Sequence, residues 1–161
     1  MTRKLTKHIL FPVLLTFILM TSCTDGDIMM EDTTPIAGQQ WNAQDTIMFS
    51  FEIEDTTSYF DFFMNLRTTT SYEYANCFVF ATLESPTMLA VDTINIPLAD
   101  PSSGRWLGEV SGSMVENHVL FMKNVRFHEL GEYKIRFVQG MRDNPLGEIS
   151  DVGLTVKKVN Q

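Results

Sequence analysis

The chain has 161 residues, with 12 Lys and Arg against 20 Asp and Glu for a formal net charge of -8, and at 44% hydrophobic it has the material for one domain with its own core. Arg3, Lys4 and Lys7 precede every acid, so the chain from Cys23 onward holds 9 cations against all 20 acids, about -11. A body this acidic has too few cations to displace counterions from a phosphate backbone or to hold an anionic bilayer by charge alone, which excludes nucleic acid and purely electrostatic lipid binding.

In chain order, three cations in residues 1–8 are followed by Ile9 to Met20, an uncharged run of 12 residues, then Thr21 and Ser22. That run is too short to cross a bilayer, for which about 20 apolar residues are needed, and its cationic flank and small exit residues fit a secretory signal over 1–22. Leu19-Met20-Thr21-Ser22-Cys23 resembles a bacterial lipobox, which implies diacylglyceryl transfer to the Cys23 thiol and cleavage just before it. The bland reading of Cys23 is a disulfide half, for which only Cys77 is available, and Cys77 sits in an apolar run (CFVFA) that suits a buried free thiol. Two or three acyl chains at about 0.8 kcal/mol per buried methylene make attachment effectively permanent. Residues 24–40, acidic and punctuated by Pro and Gly, read as a flexible tether. Asp25, Asp27, Glu31 and Asp32 lack the regular alternation and terminal Glu of a calcium loop, so a solvated stretch is expected there.

From Thr46 the hydrophobic period is two. Ile47, Phe49, Phe51 and Ile53 share one face, and Phe60, Phe62, Met64 and Leu66 repeat the pattern within Tyr59 to Arg67. Further strands are predicted over Asn76 to Leu83, Leu89 to Ile96, Val119 to Val125, Tyr133 to Gln139 and Val152 to Val159, separated by turn-rich clusters such as Asp100-Pro101-Ser102-Ser103-Gly104 and Arg142-Asp143-Asn144-Pro145. Seven such strands and no sustained 3.6-residue period predict an all-β chain, an antiparallel β-sandwich over 41–161 that is immunoglobulin-like or jelly-roll-like. Gly131-Glu132-Tyr133 has the spacing of a tyrosine corner, which favours the immunoglobulin-like order.

Sites for chemistry are scarce. With His8 in the signal, His118 and His128 lack the spaced partners of a zinc site, and there is no Gly-x-Ser-x-Gly, no phosphate-cradling glycine loop and no dinucleotide fingerprint. No metal, cofactor or catalytic residue is assigned. Aromatics remain, and those falling on both faces of one strand must put some rings outward, a common mark of a partner surface. Trp41 and Trp106 read as core or rim anchors, with Trp106 the first choice for an exposed contact. Tyr72, Tyr74 and Arg142 complete the candidate partner or ligand contacts. Asp45, Arg67 and Arg142 are read as charge pairs that fix loops through the planar guanidinium fork.

Taken together, Trp41, Asp45, Asn65-Leu66-Arg67, Tyr72-Glu73-Tyr74-Ala75-Asn76, Gly104-Arg105-Trp106-Leu107-Gly108, Gly131-Glu132-Tyr133 and above all the run from Gln139-Gly140-Met141-Arg142-Asp143 to Asp151-Val152-Gly153-Leu154 resemble the gliding-motility lipoprotein family GldH of Bacteroidetes. The resemblance covers nearly all of the chain after Cys23. It implies a lipid-anchored envelope protein, most simply of the outer membrane, that supports gliding and the associated protein-secretion machinery through protein contacts and without chemistry of its own. A small-ligand module, with Trp106, Tyr72 and Tyr74 stacking on sugar faces, is the alternative from a different class.

Overall fold

The computed structural model describes residues 27–85 and 87–159; the signal segment and Cys23 lie outside them. The strands are β1 (Ile28–Pro35), β2 (Gln40–Trp41), β3 (Ile47–Ile53), β4 (Tyr59–Thr69), β5 (Asn76–Glu84), β6 (Leu89–Pro97), β7 (Glu109–Ser111), β8 (Met114–Val125), β9 (Gly131–Gln139), β10 (Leu146–Gly147) and β11 (Ile149–Val159). Every pairing among them is antiparallel. One sheet runs β1-β11-β4-β8-β7 and the other β3-β9-β5-β6, with β2 and β10 forming a small ribbon.

The predicted periodicity is realised where one face of a strand meets the opposite sheet. In β3, Ile47, Phe49, Phe51 and Ile53 are buried, while Met48, Ser50 and Glu52 face water. β4 turns Phe60, Phe62, Met64 and Leu66 inward, and β9 turns Tyr133, Ile135 and Phe137 toward them. Each such aromatic or branched side chain contributes about 1.5–3 kcal/mol on burial. Phe127, from the turn before β9, plugs one end of the core: its ring centroid lies 4.5 Å from Tyr133, 5.7 Å from Phe60 and 5.9 Å from Phe62. The Tyr133 hydroxyl donates to the Glu129 carbonyl at 3.0 Å, the tyrosine-corner contact that the Gly-x-Tyr spacing predicts.

Two expectations are corrected. Most of the segment read as a tether is structured: Ile28–Pro35 is a strand paired along its length with β11, and Ala37–Gln39 is a short 3-10 turn leading into β2. β1 escapes the alternation rule because it is an edge strand, with a register shift between Ile28 and Met30 and with Glu31 and Asp32 exposed. Charge, irregularity and a terminal Pro are how edge strands resist pairing with other chains. This eighth strand also decides between the two sandwich types. Taking β1, β3, β4, β5, β6, β8, β9 and β11 in order, β1-β11-β4-β8 faces β3-β9-β5-β6, and successive strands cross between sheets except at the β5–β6 hairpin. That is the jelly-roll order, not the immunoglobulin order.

β11 is the most enclosed strand, with Val152, Gly153, Leu154, Thr155 and Val156 all buried. Gly153 has no room for a side chain, since an added Cβ would lie 2.7 Å from Thr33 Oγ1 and 2.8 Å from the Asp32 carbonyl, on β1. Gly147 has open space at the same position. Gly153→Ala is therefore expected to cost about 1–3 kcal/mol by pushing β1 off the sheet, with faster amide exchange in residues 28–35. Gly147→Ala should leave thermal unfolding within about 0.5 kcal/mol of the parent.

Candidate functional site

The jelly-roll path sorts the connections by length. The short turns between β3 and β4, β5 and β6, and β8 and β9 lie at the end where β1 begins. The long connections 36–46, 70–75, 98–113 and 140–148 lie at the other end. An eight-residue strand at about 3.3 Å per residue separates the two ends by roughly 26 Å. Every residue nominated from sequence as a contact lies in the long connections, which we call the distal end.

There the 140–148 connection is held from three sides. The Tyr74 hydroxyl donates to the Asp143 carboxylate, Gln139 Nε2 donates to the Asp143 carbonyl at 2.9 Å, and the Ala43 N–H donates to Asn144 Oδ1 at 2.9 Å. The bond to Asp143 raises the Tyr74 pKa above its ordinary value, since ionisation would bring two anions together. The Leu98 and Ala99 N–H groups donate to the Ala75 carbonyl at 2.8 and 2.9 Å, and Ala99 bridges to Trp106, so the 98–113 connection joins the same cluster.

The four nominated residues fare differently. Tyr72 is buried at 5% exposure, donates to the Asn76 carbonyl at 3.1 Å and meets Tyr74 edge-on. It is a core residue and cannot stack on a ligand. Trp106 is half-buried and packs on the core, leaving its neighbour Leu107 outermost, 53% exposed. Tyr74 is half-buried and committed to Asp143. Arg142 is exposed and, among the described residues, makes no ion pair. The expected charge pairing of Asp45, Arg67 and Arg142 is also corrected. Asp45 is exposed, its carbonyl accepting from Trp41 Nε1 at 2.9 Å, while Arg67 pairs on the sheet face with Glu116 at 3.4 Å and Asp151 at 3.7 Å.

Two surface features were not nominated. Phe78 and Phe80, 40% and 46% exposed, stand on the outer face of β5 because Cys77, Val79 and Ala81 take the inner face. The alternation already implied this. On the outer face of the other sheet, a depression of about 280 Å³ is bordered by His118, Asn65, Arg67, Glu116 and Asp151. Asn65 donates to Thr155 at 2.8 Å and accepts from His118 Nδ1, whose ring lies flat on Phe63 at 4.4 Å. Partial burial, and then the nearby Lys157, hold the imidazole below its usual pKa against smaller pulls from Glu31 and Glu116. Among the described residues no group of three or more His, Cys, Asp and Glu is gathered as for a metal ion, and no helix is long and apolar enough to cross a membrane.

Residues 28–156 match the protein family described as GldH lipoprotein. The chain is 30% identical over 156 residues to the gliding motility lipoprotein GldH homolog of Christiangramia forsetii, covering 92% of this chain and 94% of that protein. It is 27% identical over 154 residues to the gliding motility lipoprotein GldH of Flavobacterium johnsoniae, covering 91% and 94%. Among solved structures it is similar to the VP2 subviral particle of infectious bursal disease virus, at a TM-score of 0.36 and 15% identity over 84% of this chain and 31% of that one, too distant to bear on function.

Asp143→Asn should bring the Tyr74 ionisation back toward the ordinary tyrosine value in an ultraviolet titration, and quicken amide exchange across 140–145. For His118 the sign is set by its lowered folded pKa: as pH falls through about 6.5 the unfolded chain takes up the proton first. Its contribution to stability is thus whole above that value and lost as pH falls toward the folded pKa. The urea midpoint should drop between about pH 7.5 and about pH 5, and His118→Gln should flatten that part of the profile.

Proposed function

The chain belongs to the GldH lipoprotein family, and on that premise we propose that this gliding-motility lipoprotein of the bacterial envelope is an accessory structural protein, acylated at Cys23 and held at the outer membrane. Its distal end contributes protein contacts to the motility apparatus and the associated type IX secretion machinery. The observation that carries the reading is the clustering of long connections at that end, with Arg142 and Leu107 exposed on a cluster that Tyr74, Gln139 and Ala43 hold in shape. Guanidinium groups and apolar side chains are what protein interfaces favour, and a framework already bonded loses little freedom on binding. Cys77 is consistent with Cys23 being the one reactive sulfur: it is wholly buried, and burial pushes its thiol up to about 12.

Three readouts test this. Labelling with a palmitate analogue should mark the parent and be lost in Cys23→Ala, which should leave the membrane fraction. A deletion strain should lose surface spreading and secretion, and both should return with the parent gene but only weakly with Arg142→Glu combined with Leu107→Asp. A photo-crosslinker at Leu107 should capture an envelope protein that one placed at Lys123, near the opposite end, does not. Normal spreading and secretion in the deletion strain would remove the reading.

A further inference from the structure

We propose that the end of the sandwich opposite the distal loops rests directly on the lipid surface, with Met88, Leu89 and Leu130 entering the headgroup region. This deepens the reading of Cys23 as the acylated residue and rests on it. Only residues 24–27 separate Cys23 from β1, and even fully extended they reach about 14 Å. The Asp27 carbonyl accepts from the Lys158 N–H at 2.9 Å, so the body is tied down from the first described residue onward. Whatever lies at this end is therefore carried to the bilayer.

What lies there is one connected surface. Lys158 Nζ is 3.4 Å from Asp55 in the turn after β3, Arg126 Nε donates to the Thr56 carbonyl at 2.9 Å, and Thr87 Oγ1 donates to Glu129 at 2.8 Å. These contacts link the start of β1 to all three short turns. Met88 and Leu130 on those turns, with Leu89 at the start of β6, are 57%, 60% and 60% exposed. Such apolar side chains, exposed at one end of the body, suit entry into a soft apolar medium.

Charge agrees with this occupant. The whole body is strongly acidic, but this end mixes Lys123, Arg126, Lys157 and Lys158 with Asp27, Glu52, Glu54, Asp55, Asp61 and Glu129, and the flanking Glu84 and Glu132 are taken up by Arg136 and Lys134. It is closer to balance than the body as a whole and meets less repulsion at an anionic headgroup layer. Charge does not draw it down. The anchor supplies the attachment and the three apolar tips choose the orientation, because tethering makes even a weak contact intramolecular.

The test uses the full acylated protein in vesicles of phosphatidylethanolamine and phosphatidylglycerol. A polarity-sensitive fluorophore is placed at Leu130→Cys, at Met88→Cys and, as the distal reference, at Leu107→Cys; buried Cys77 does not label. The Leu130 and Met88 probes should shift to the blue and be quenched at least about twofold by shallow spin-labelled lipid, while the equally exposed Leu107 probe is unaffected. If the protein floats with the vesicles and its N-terminal peptide carries the acyl mass, yet all three probes behave as in water, the docking proposal is overturned and the anchor stands. Failure to float together with an unmodified N-terminus removes the anchor itself, and this proposal with it.

Discussion

The pairing of β11 between β1 and β4 is the constraint on which the rest of the structure depends. It brings the final strand of the chain against the first, so the larger sheet cannot complete itself until nearly the whole sequence is present. The ladder runs from Ile28 opposite Lys157 to Pro35 opposite Asp151 on one side, and from Ile149 opposite Thr68 to Val159 opposite Tyr59 on the other. Paired on both edges and buried from Val152 to Val156, this strand has little margin for side-chain volume, and an added Cβ at Gly153 would meet Thr33 and Asp32 of β1. Contacts of such long sequence separation must overcome loop-closure entropy before they stabilise anything, which makes slow, cooperative folding the natural behaviour of this topology.

How much of this was legible in the sequence follows from which strands bury one face. β3, β4, β5 and β9 show their alternation openly because water lies on one side and the opposite sheet on the other. β1 does not, because as an edge strand it is selected for charge and irregularity rather than for an apolar face, and its Glu31-Asp32-Thr33-Thr34 passes for a linker. Missing it left seven strands, which fit a sandwich of either order. The tyrosine corner at Tyr133 tipped the reading toward the immunoglobulin order, yet its bond to Glu129 forms equally well in a jelly roll, since it needs only a strand that begins after a tight turn.

The nominated contacts divide by a similar logic. Tyr72, Tyr74, Trp106 and Arg142 were chosen as polar or aromatic residues in loop-like sequence, and the structure does bring their segments to one end. Sequence could not say which side chains would be consumed in holding those loops together. Tyr72 is spent on the core and Tyr74 on Asp143, and Trp106 leaves its place at the surface to Leu107. Arg142 keeps its donors because Asp45, the carboxylate that sequence offered it, lies beside its own turn, while Asp151 and Glu116 face Arg67. Phe78 and Phe80 show the reverse case: the period of two that buries Cys77 and Val79 turns them outward by arithmetic, yet they were not nominated.

A jelly roll has two unlike ends, and on the proposed reading each has a different task. The first strand starts at the end with three short turns, which have little chain to spare for recognition, while the four long connections gather at the other. Had residues 24–40 formed a free tether, the body would tumble at some 20–25 Å from its anchor and either end could face outward. With β1 beginning at Ile28, about four residues remain, and the length of the sandwich itself becomes the spacer. On the proposed attachment at Cys23, the anchor sets not only where the protein is but which surface it shows. A body roughly 26 Å tall would then present Arg142 and Leu107 to partners above the bilayer, at an effective concentration set by a surface rather than by a volume.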